Sequence, residues 1–200
     1  MNDPKNIFIK LLQSTNRPGI NHVIIKLEEL GFFTAPSSSK FHGNYDGGLL
    51  EHSINVARVG VMLLEQMSKI TPELAQNVTR ENILIACLLH DVCKAEVYEK
   101  GFKWAKDENN KWIQEPCYNV NYDNFPVGHG EKSVIQLLRW GLELTDAEIL
   151  AIRWHMHAWD LAFQSPEAKN NLNAAKQSCP LLCLLQAADG LASSLMEKTV

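Results

Sequence analysis

Apolar and polar positions recur with a helical period along most of the chain. Residues 7–12 and 19–30 predict two short helices, because apolar side chains return every three or four positions in each. The Arg17-Pro18-Gly19 segment separates them and breaks a helix. The polar segment 34–48 predicts a loop that ends in the Gly47-Gly48 pair.

The longest predicted helix covers residues 49–69. Two parallel apolar lines run along it, which makes a stripe wide enough for a well-buried helix. His52 lies inside that stripe. One line consists of Leu50, Ile54, Ala57, Val61 and Leu64, and the other of Leu49, His52, Val56, Val59 and Leu63.

The remaining pattern predicts further helices and one small β element. Aromatic and β-branched residues flank a polar Asp-Glu-Asn-Asn turn within residues 97–122, which indicates a β-hairpin inserted between helices. Helix starts are predicted at Thr71, at Thr79, at a capping box from Thr145 to Glu148 and at Ser165. One helix is predicted to end at His90-Asp91 and another to cover residues 131–140. On the helix that follows Thr145, a single face is predicted to carry Ile149, Ile152, His155 and Trp159. The last predicted helix covers residues 180–198 and buries Leu181, Leu184, Leu185, Ala188, Leu191, Ala192 and Leu195.

These elements define the predicted fold class, an all-α helical bundle with a small β-hairpin insertion at about residues 97–122. Two hundred residues fit one domain and can bury a sizeable core. We expect short N-terminal helices within residues 1–45 and a helical core over residues 46–198.

Composition narrows the classes of protein to which the chain can belong. It is 46% hydrophobic and 21% charged, with a net charge of −4 and no basic cluster, so a nucleic-acid duplex is not an expected partner. The five cysteines form no Cys-x-x-Cys pair, which argues against a disulfide framework and suits a reducing compartment. No signal-peptide pattern and no apolar run of membrane-spanning length occur, so we expect a cytoplasmic protein without membrane contact.

Six ionisable residues occupy apolar or helix-cap positions, where a charge is costly unless something binds it. Each histidine alone is more often a satisfied core residue than a ligand. Together, four imidazoles and two carboxylates match the donors that a first-row divalent metal takes. The spacing has no two-ligand motif on one helix, so tertiary packing must assemble the site. The six are His52, His90, Asp91, His129, His155 and Asp189.

The order of these residues resembles the HD-domain superfamily of metal-dependent phosphohydrolases. The similarity spans about residues 45–195. Its motifs are GGLLEHS at 47–53, LLHDVCK at 88–94, GHGEKS at 128–133, RWHMH at 153–157 and AADGLAS at 187–193. It implies an HD-type helical domain with one or two divalent ions, of Mn, Fe, Co, Ni, Zn or Mg.

The resemblance also implies roles for individual residues. His52, His90, Asp91 and Asp189 would hold a first metal, and Asp91 would bridge to a second metal held by His129 and His155. The expected reaction is attack of metal-activated water on a phosphoester, with Asp91, Lys94 and His129 as catalytic residues. Substrate contacts are expected from Lys94, Gly128, Gly130 and Arg153. The glycines also fit a tight turn with a helix cap, and Arg153 also fits a surface salt bridge.

Several functions remain open. The leading one is hydrolysis of a phosphoester in a nucleotide or another small phosphorylated substrate. Alternatives are a di-iron oxygenase of the HD type, a 3'-5' exoribonuclease-like nuclease and a non-catalytic module that keeps metal for stability. Trp104 and Trp112 in the hairpin are candidates for stacking on a base, although aromatic hairpins more often pack on their own domain.

Overall fold

The computed structural model describes residues 3–121, 123–157 and 165–197. Within these ranges helices predominate and the β structure is one two-stranded antiparallel hairpin, which confirms the predicted fold class. The elements, in chain order, are α1 (Pro4–Gln13), α2 (Ile20–Glu29), α3 (Gly48–Ile70), α4 (Leu74–Asn77), α5 (Arg80–Leu89), a 3-10 helix (Val92–Glu96), β1 (Tyr98–Lys106), β2 (Trp112–Val120), α6 (His129–Arg139), α7 (Asp146–Trp154), α8 (Pro166–Ser178), α9 (Pro180–Leu191) and a π-helical segment (Ala192–Met196).

Local sequence explains most helix starts. Thr79 and Thr145 each accept a backbone hydrogen bond at the third helical position and so form the capping boxes of α5 and α7. Ser165 caps α8 in the predicted place. The helix start predicted at Thr71 is wrong. Thr71 instead ends α3, where its N–H donates to the Met67 carbonyl at 2.8 Å.

The C-terminal helix differs from its prediction. Its α-helical part ends at Leu191, and a π-helical segment follows. Each residue of a π-helix advances by a smaller angle than in an α-helix, which turns Leu195 out of the apolar stripe, whereas Leu191 still belongs to α9. Leu191 and Leu195 are 38% and 77% exposed, and their predicted burial is wrong, whereas Ala188 and Ala192 are buried. Trp159 and Lys198 lie outside the described residues.

The core is a single apolar cluster that runs from Phe8 to Ala192 among the described residues. Helix α3 lies at its centre and packs on α5 and α9. The N-terminal helices are tied to this core by Arg17, which donates to both carboxylate oxygens of the buried Glu148 at 2.7 and 2.9 Å. The predicted division into residues 1–45 and 46–198 stays a prediction.

No single helix in the described ranges is long and apolar enough to cross a membrane. The pair formed by α8 and the continuous stretch Pro180–Met196 meets the length and composition criteria only when taken together, and it is bent by 100°.

Candidate metal centre

The six predicted ligands, drawn from five separate segments of the chain, come together at one place. His52 lies near the start of α3, His90 and Asp91 directly follow α5, His129 is the first residue of α6, His155 directly follows α7 and Asp189 lies in the last turn of α9. The helix predicted over 131–140 thus begins two residues earlier than expected, at His129. Oxygen and nitrogen atoms of these side chains form several groups able to hold a metal ion.

The break after α5 lets two adjacent residues face the same point. Neighbouring side chains of a regular helix point about 100° apart. At Asp91 the backbone leaves the helix, with φ −110° and ψ 17°, before the 3-10 helix starts at Val92. As a result His90 Nε2 lies 3.3 Å from Asp91 Oδ2. The seven residues Ile83–Leu89 ahead of them are all buried, which carries the pair deep into the protein.

Asp91 places one carboxylate oxygen in each of two donor groups. Its Oδ2 lies 3.4 Å from His52 Nε2 and 3.3 Å from His90 Nε2. Its Oδ1 lies 3.4 Å from His155 Nε2 and contacts His129 Nε2. One carboxylate between two imidazole pairs is the arrangement of a bridging ligand.

Asp189 lies beside imidazoles of both groups. Its Oδ1 lies 3.5 Å from His52 Nε2, and it also forms a group with His90 and His155. Its side chain is 22% exposed, so the centre is open to solvent near α9.

Hydrogen bonds orient the imidazoles so that their Nε2 atoms face the centre. His90 Nδ1 donates to the Cys87 carbonyl at 2.9 Å, and His155 Nδ1 donates to the Ile152 carbonyl at 2.7 Å. Because a carbonyl can only accept, each Nδ1 carries a hydrogen, and in the neutral imidazole each Nε2 keeps its lone pair. This arrangement is typical of metal-binding histidines.

The donor atoms fit a divalent metal ion. His155 Nε2 is buried and has no hydrogen-bond partner, and the Nε2 atoms of His52 and His90 lie 3.2 Å apart. Two lone pairs at that distance repel unless a cation or a proton lies between them. Nitrogens bound to one ion at about 2.0–2.1 Å are separated by about 3.0–3.4 Å. The buried His and Asp groups are thus able to hold metal.

The charges of the site also favour a cation. Burial opposes a charge on His52, but the carboxylates of Asp91 and Glu197 outweigh it and raise its pKa to about 9. Burial likewise opposes ionisation of Asp91, and Lys94 with the surrounding imidazoles holds the pKa of that carboxyl well below its usual range. The carboxylate is therefore ionised at neutral pH, as a metal ligand must be.

Lys94 lies inside the centre rather than at its rim. Its Nζ is 2.6 Å from Asp91 Oδ2, and its side chain is 12% exposed. Burial would lower the pKa of Lys94, but the Asp91 carboxylate raises it above its ordinary value. The residue is therefore a fixed positive charge beside the predicted bridging ligand.

Two residues of the site were not anticipated from the sequence. Glu197, whose side chain is 1% exposed, accepts from His52 Nδ1 at 3.0 Å and so orients that imidazole toward the centre. His42 lies beside both residues, with its ring centroid 5.2 Å from that of His52 and its Nε2 4.0 Å from Glu197 Oε2. Neither stands in an apolar helical stripe, the pattern that identified the other residues. Because Gly48 has no side chain, the Gly43 carbonyl next to His42 can approach the start of α3 closely.

We predict that Glu197→Gln weakens metal binding by about 10- to 100-fold, the usual effect of removing a carboxylate that supports a metal-bound histidine. A glutamine keeps the size of the side chain but accepts less strongly from His52. Competition with a chromogenic chelator measures the affinity. Glu167→Gln, an exposed change on α8, serves as the control and should bind metal like the wild type. Equal affinities in both variants would contradict the role of Glu197.

The remaining predicted substrate contacts lie around the start of α6. Gly128 is the residue that precedes α6, and Gly130 lies in its first turn against the end of α7. Arg153 extends over the Trp154 ring at 4.2 Å, and its Nη2 lies 3.4 Å from Glu131. Their contacts with substrate stay predictions.

Gly130 allows α6 and α7 to approach closely, and this predicts a stability effect. A Cβ atom there would lie 2.4 Å from the Ile152 carbonyl oxygen and 2.6 Å from that of Arg153. Gly130→Ala should therefore lower the free energy of unfolding by about 1–3 kcal/mol. Gly190→Ala, in α9 with nothing near its Cβ position, should raise it by about 0.5–1 kcal/mol. Urea unfolding measures both, and equal effects would refute the packing role of Gly130.

Comparison with known proteins adds independent findings. The family model described as "HD domain" matches residues 49–194. A curated relative, the dihydroneopterin 2',3'-cyclic phosphate phosphodiesterase of Methanocaldococcus jannaschii, is 26% identical over 167 residues. The alignment covers 84% of this chain and 55% of the relative, so the chain spans about half of the relative's length. No solved structure matches significantly.

Proposed function

The chain belongs to the HD domain family, and from this premise we propose that it is a metal-dependent phosphohydrolase acting on a small phosphorylated molecule. The observation that carries the proposal is the position of Asp91, whose two carboxylate oxygens face separate imidazole pairs. A bridging carboxylate of this kind suits a two-metal phosphoester hydrolase.

The proposed ligand sets follow the two donor groups. His52, His90, Asp91 and Asp189 would hold one divalent ion, and Asp91, His129 and His155 the other. When bound, such ions supply Lewis-acid stabilisation of phosphoryl oxygens and a water that ionises near neutral pH. The chain's own part is to fix the donors: Glu197 and the Cys87 and Ile152 carbonyls set the imidazole orientations.

Lys94 would bind the phosphoryl group of the substrate. Its charge is permanent, because Asp91 raises its pKa, and burial strengthens the electrostatic interaction with an anion. His129 and Asp189 are the most exposed ligand candidates, at 24% and 22%, and His129 also lines a small cavity with Lys132, so the substrate would reach the centre on the His129 side.

The name of the curated relative suggests which substrates to test first. Its name describes hydrolysis of a 2',3'-cyclic phosphate of a pterin. We therefore propose a cyclic phosphodiester carried by a small organic molecule, a nucleoside or a pterin, as the substrate class for this chain.

A substrate screen with defined metals tests the proposal. The purified protein is loaded in turn with Mn, Co, Ni, Mg or Fe and assayed on 2',3'-cyclic nucleotides, linear phosphodiesters and phosphomonoesters, with metal content measured by elemental analysis. We expect two ions per chain and metal-dependent hydrolysis. Oxygen consumption by the iron form without phosphoester hydrolysis would instead favour the oxygenase, and metal binding without turnover would favour a binding module.

A further inference from the structure

The β-hairpin and the loop at residues 39–46 enclose a cavity of about 810 Å³. This volume lies within the range of small-molecule sites. One wall is formed by residues 100–103 and 116–118 of the hairpin and the other by residues 39, 40 and 44–46 of the loop. We name this cavity the hairpin groove. It lies apart from the six metal-ligand candidates, none of which lines it.

Two hydrogen bonds fix the walls of the hairpin groove to each other. Asp46 accepts from Lys100 Nζ and from Tyr118 Oη, each at 2.6 Å. Each carboxylate oxygen takes one donor, and both donors come from the same face of the hairpin, since Lys100 and Tyr118 are cross-strand partners. The groove is therefore held open by a defined contact between the hairpin and the loop.

Phe102 supplies an exposed aromatic surface in this groove. It is paired with Pro116 on the neighbouring strand, and its side chain is 68% exposed although it lines a cavity. An exposed phenyl ring beside a proline offers a flat apolar surface on which a planar ring can stack. Tyr45 and Tyr118 also line the groove.

The charge of the groove favours an anionic ligand. The described lining residues include three lysines, Lys40, Lys100 and Lys103, and one acid, Asp46; with Glu115, which lies 3.5 Å from Lys103, the local charge is +1. The whole chain carries −4. Because this positive surface occurs on an acidic protein, it is complementary to a phosphorylated molecule rather than to a cation.

Each of the two elements that form the groove also has a residue close to the candidate metal centre. The loop carries His42, whose ring lies 5.2 Å from that of His52. On the hairpin, Tyr98 shares a face of β1 with Lys100 and Phe102, and it lines a smaller cavity of about 90 Å³ together with His129 and Lys132. A ligand with its phosphate near His129 and its ring in the groove would follow this face.

We propose that the hairpin groove binds the planar heterocycle of the substrate, a nucleobase or a ring of similar size, with Phe102 as the stacking surface. This inference rests on the proposed function, since it assigns the non-phosphate part of the same substrate. It makes the 97–122 insertion the element that selects the substrate, whereas the helical bundle supplies the metal centre.

Binding of hydrolysis-resistant probes tests the groove without requiring turnover. The probes are the slowly hydrolysed phosphorothioate analogues of guanosine 2',3'-cyclic phosphate and of ribose 2',3'-cyclic phosphate, titrated by calorimetry into the metal-loaded protein. Phe102→Ala should weaken binding of the guanosine probe by about 5- to 150-fold, the range for loss of one base–aromatic stack. It should leave binding of the ribose probe unchanged, because that probe has no planar heterocycle to stack.

Two further variants control for the fold of the hairpin. Ile113→Ala alters the opposite face of the hairpin and should bind both probes like the wild type. Phe102→Trp keeps an aromatic surface and should bind the guanosine probe at least as tightly as the wild type. Wild-type affinity of Phe102→Ala for guanosine, or equal weakening of both probes, would overturn the groove assignment. Absence of hydrolysis in the substrate screen would instead count against the proposed function alone.

Discussion

Asp91→Asn should remove phosphoester hydrolysis, with a fall in kcat/KM of at least about a thousandfold, equivalent to about 4 kcal/mol. The substitution keeps the shape of the side chain but removes the charge that both proposed metal ions share. No other described residue places oxygens within 3.5 Å of imidazoles from both donor groups. We therefore expect bound metal to fall from two ions toward none, as elemental analysis would show.

The control for Asp91→Asn must separate loss of metal from loss of fold. Removing Asp91 leaves the buried Lys94 without its closest partner, which can destabilise a protein by about 3–5 kcal/mol. The double variant Asp91→Asn/Lys94→Met removes both charges and should restore stability but not metal binding. Asp146→Asn, an exposed change at the start of α7, should retain full activity. Wild-type turnover by folded Asp91→Asn would refute the shared-ligand scheme.

Much of this fold could be predicted because its determinants are local. The stripe on α3 and the capping threonines of α5 and α7 are encoded within a few residues of the structures they specify. The metal-ligand candidates were also visible, since an imidazole or a carboxylate in an apolar run is costly without a partner. His90 and Asp91 are the clearest example, because all seven residues before them are buried.

The features that could not be predicted depend on tertiary contacts. Glu197 contacts His52 from the position directly after the π-helical segment, and no apolar stripe in the sequence marks that segment. From the sequence alone, Gly130 fits a substrate contact as well as a tight turn. Its packing against the carbonyls of α7 becomes apparent only when the two helices are placed together. The hairpin groove likewise requires the contact between Asp46 and a strand more than fifty residues away.

Lys94 provides the second large effect, because its charge lies where the substrate's phosphoryl group is proposed to bind. Lys94→Met keeps a long side chain and removes the ammonium group 2.6 Å from Asp91 Oδ2. We expect kcat to fall by about 10²- to 10³-fold, the usual cost of removing one group that stabilises developing negative charge. Steady-state kinetics on the best substrate from the metal screen would measure this loss.

Metal binding distinguishes a catalytic Lys94 from a structural one. Removing a cation beside Asp91 lowers the repulsion felt by a metal ion, so Lys94→Met should bind metal at least as tightly as the wild type. If Lys94 only held Asp91 in place, the variant would instead lose metal affinity in parallel with activity. Lys69→Met, at the exposed end of α3, should change neither quantity. Retained metal with a reduced kcat is thus the combination expected of a residue that acts on the phosphoryl group, and an unchanged kcat would refute that role.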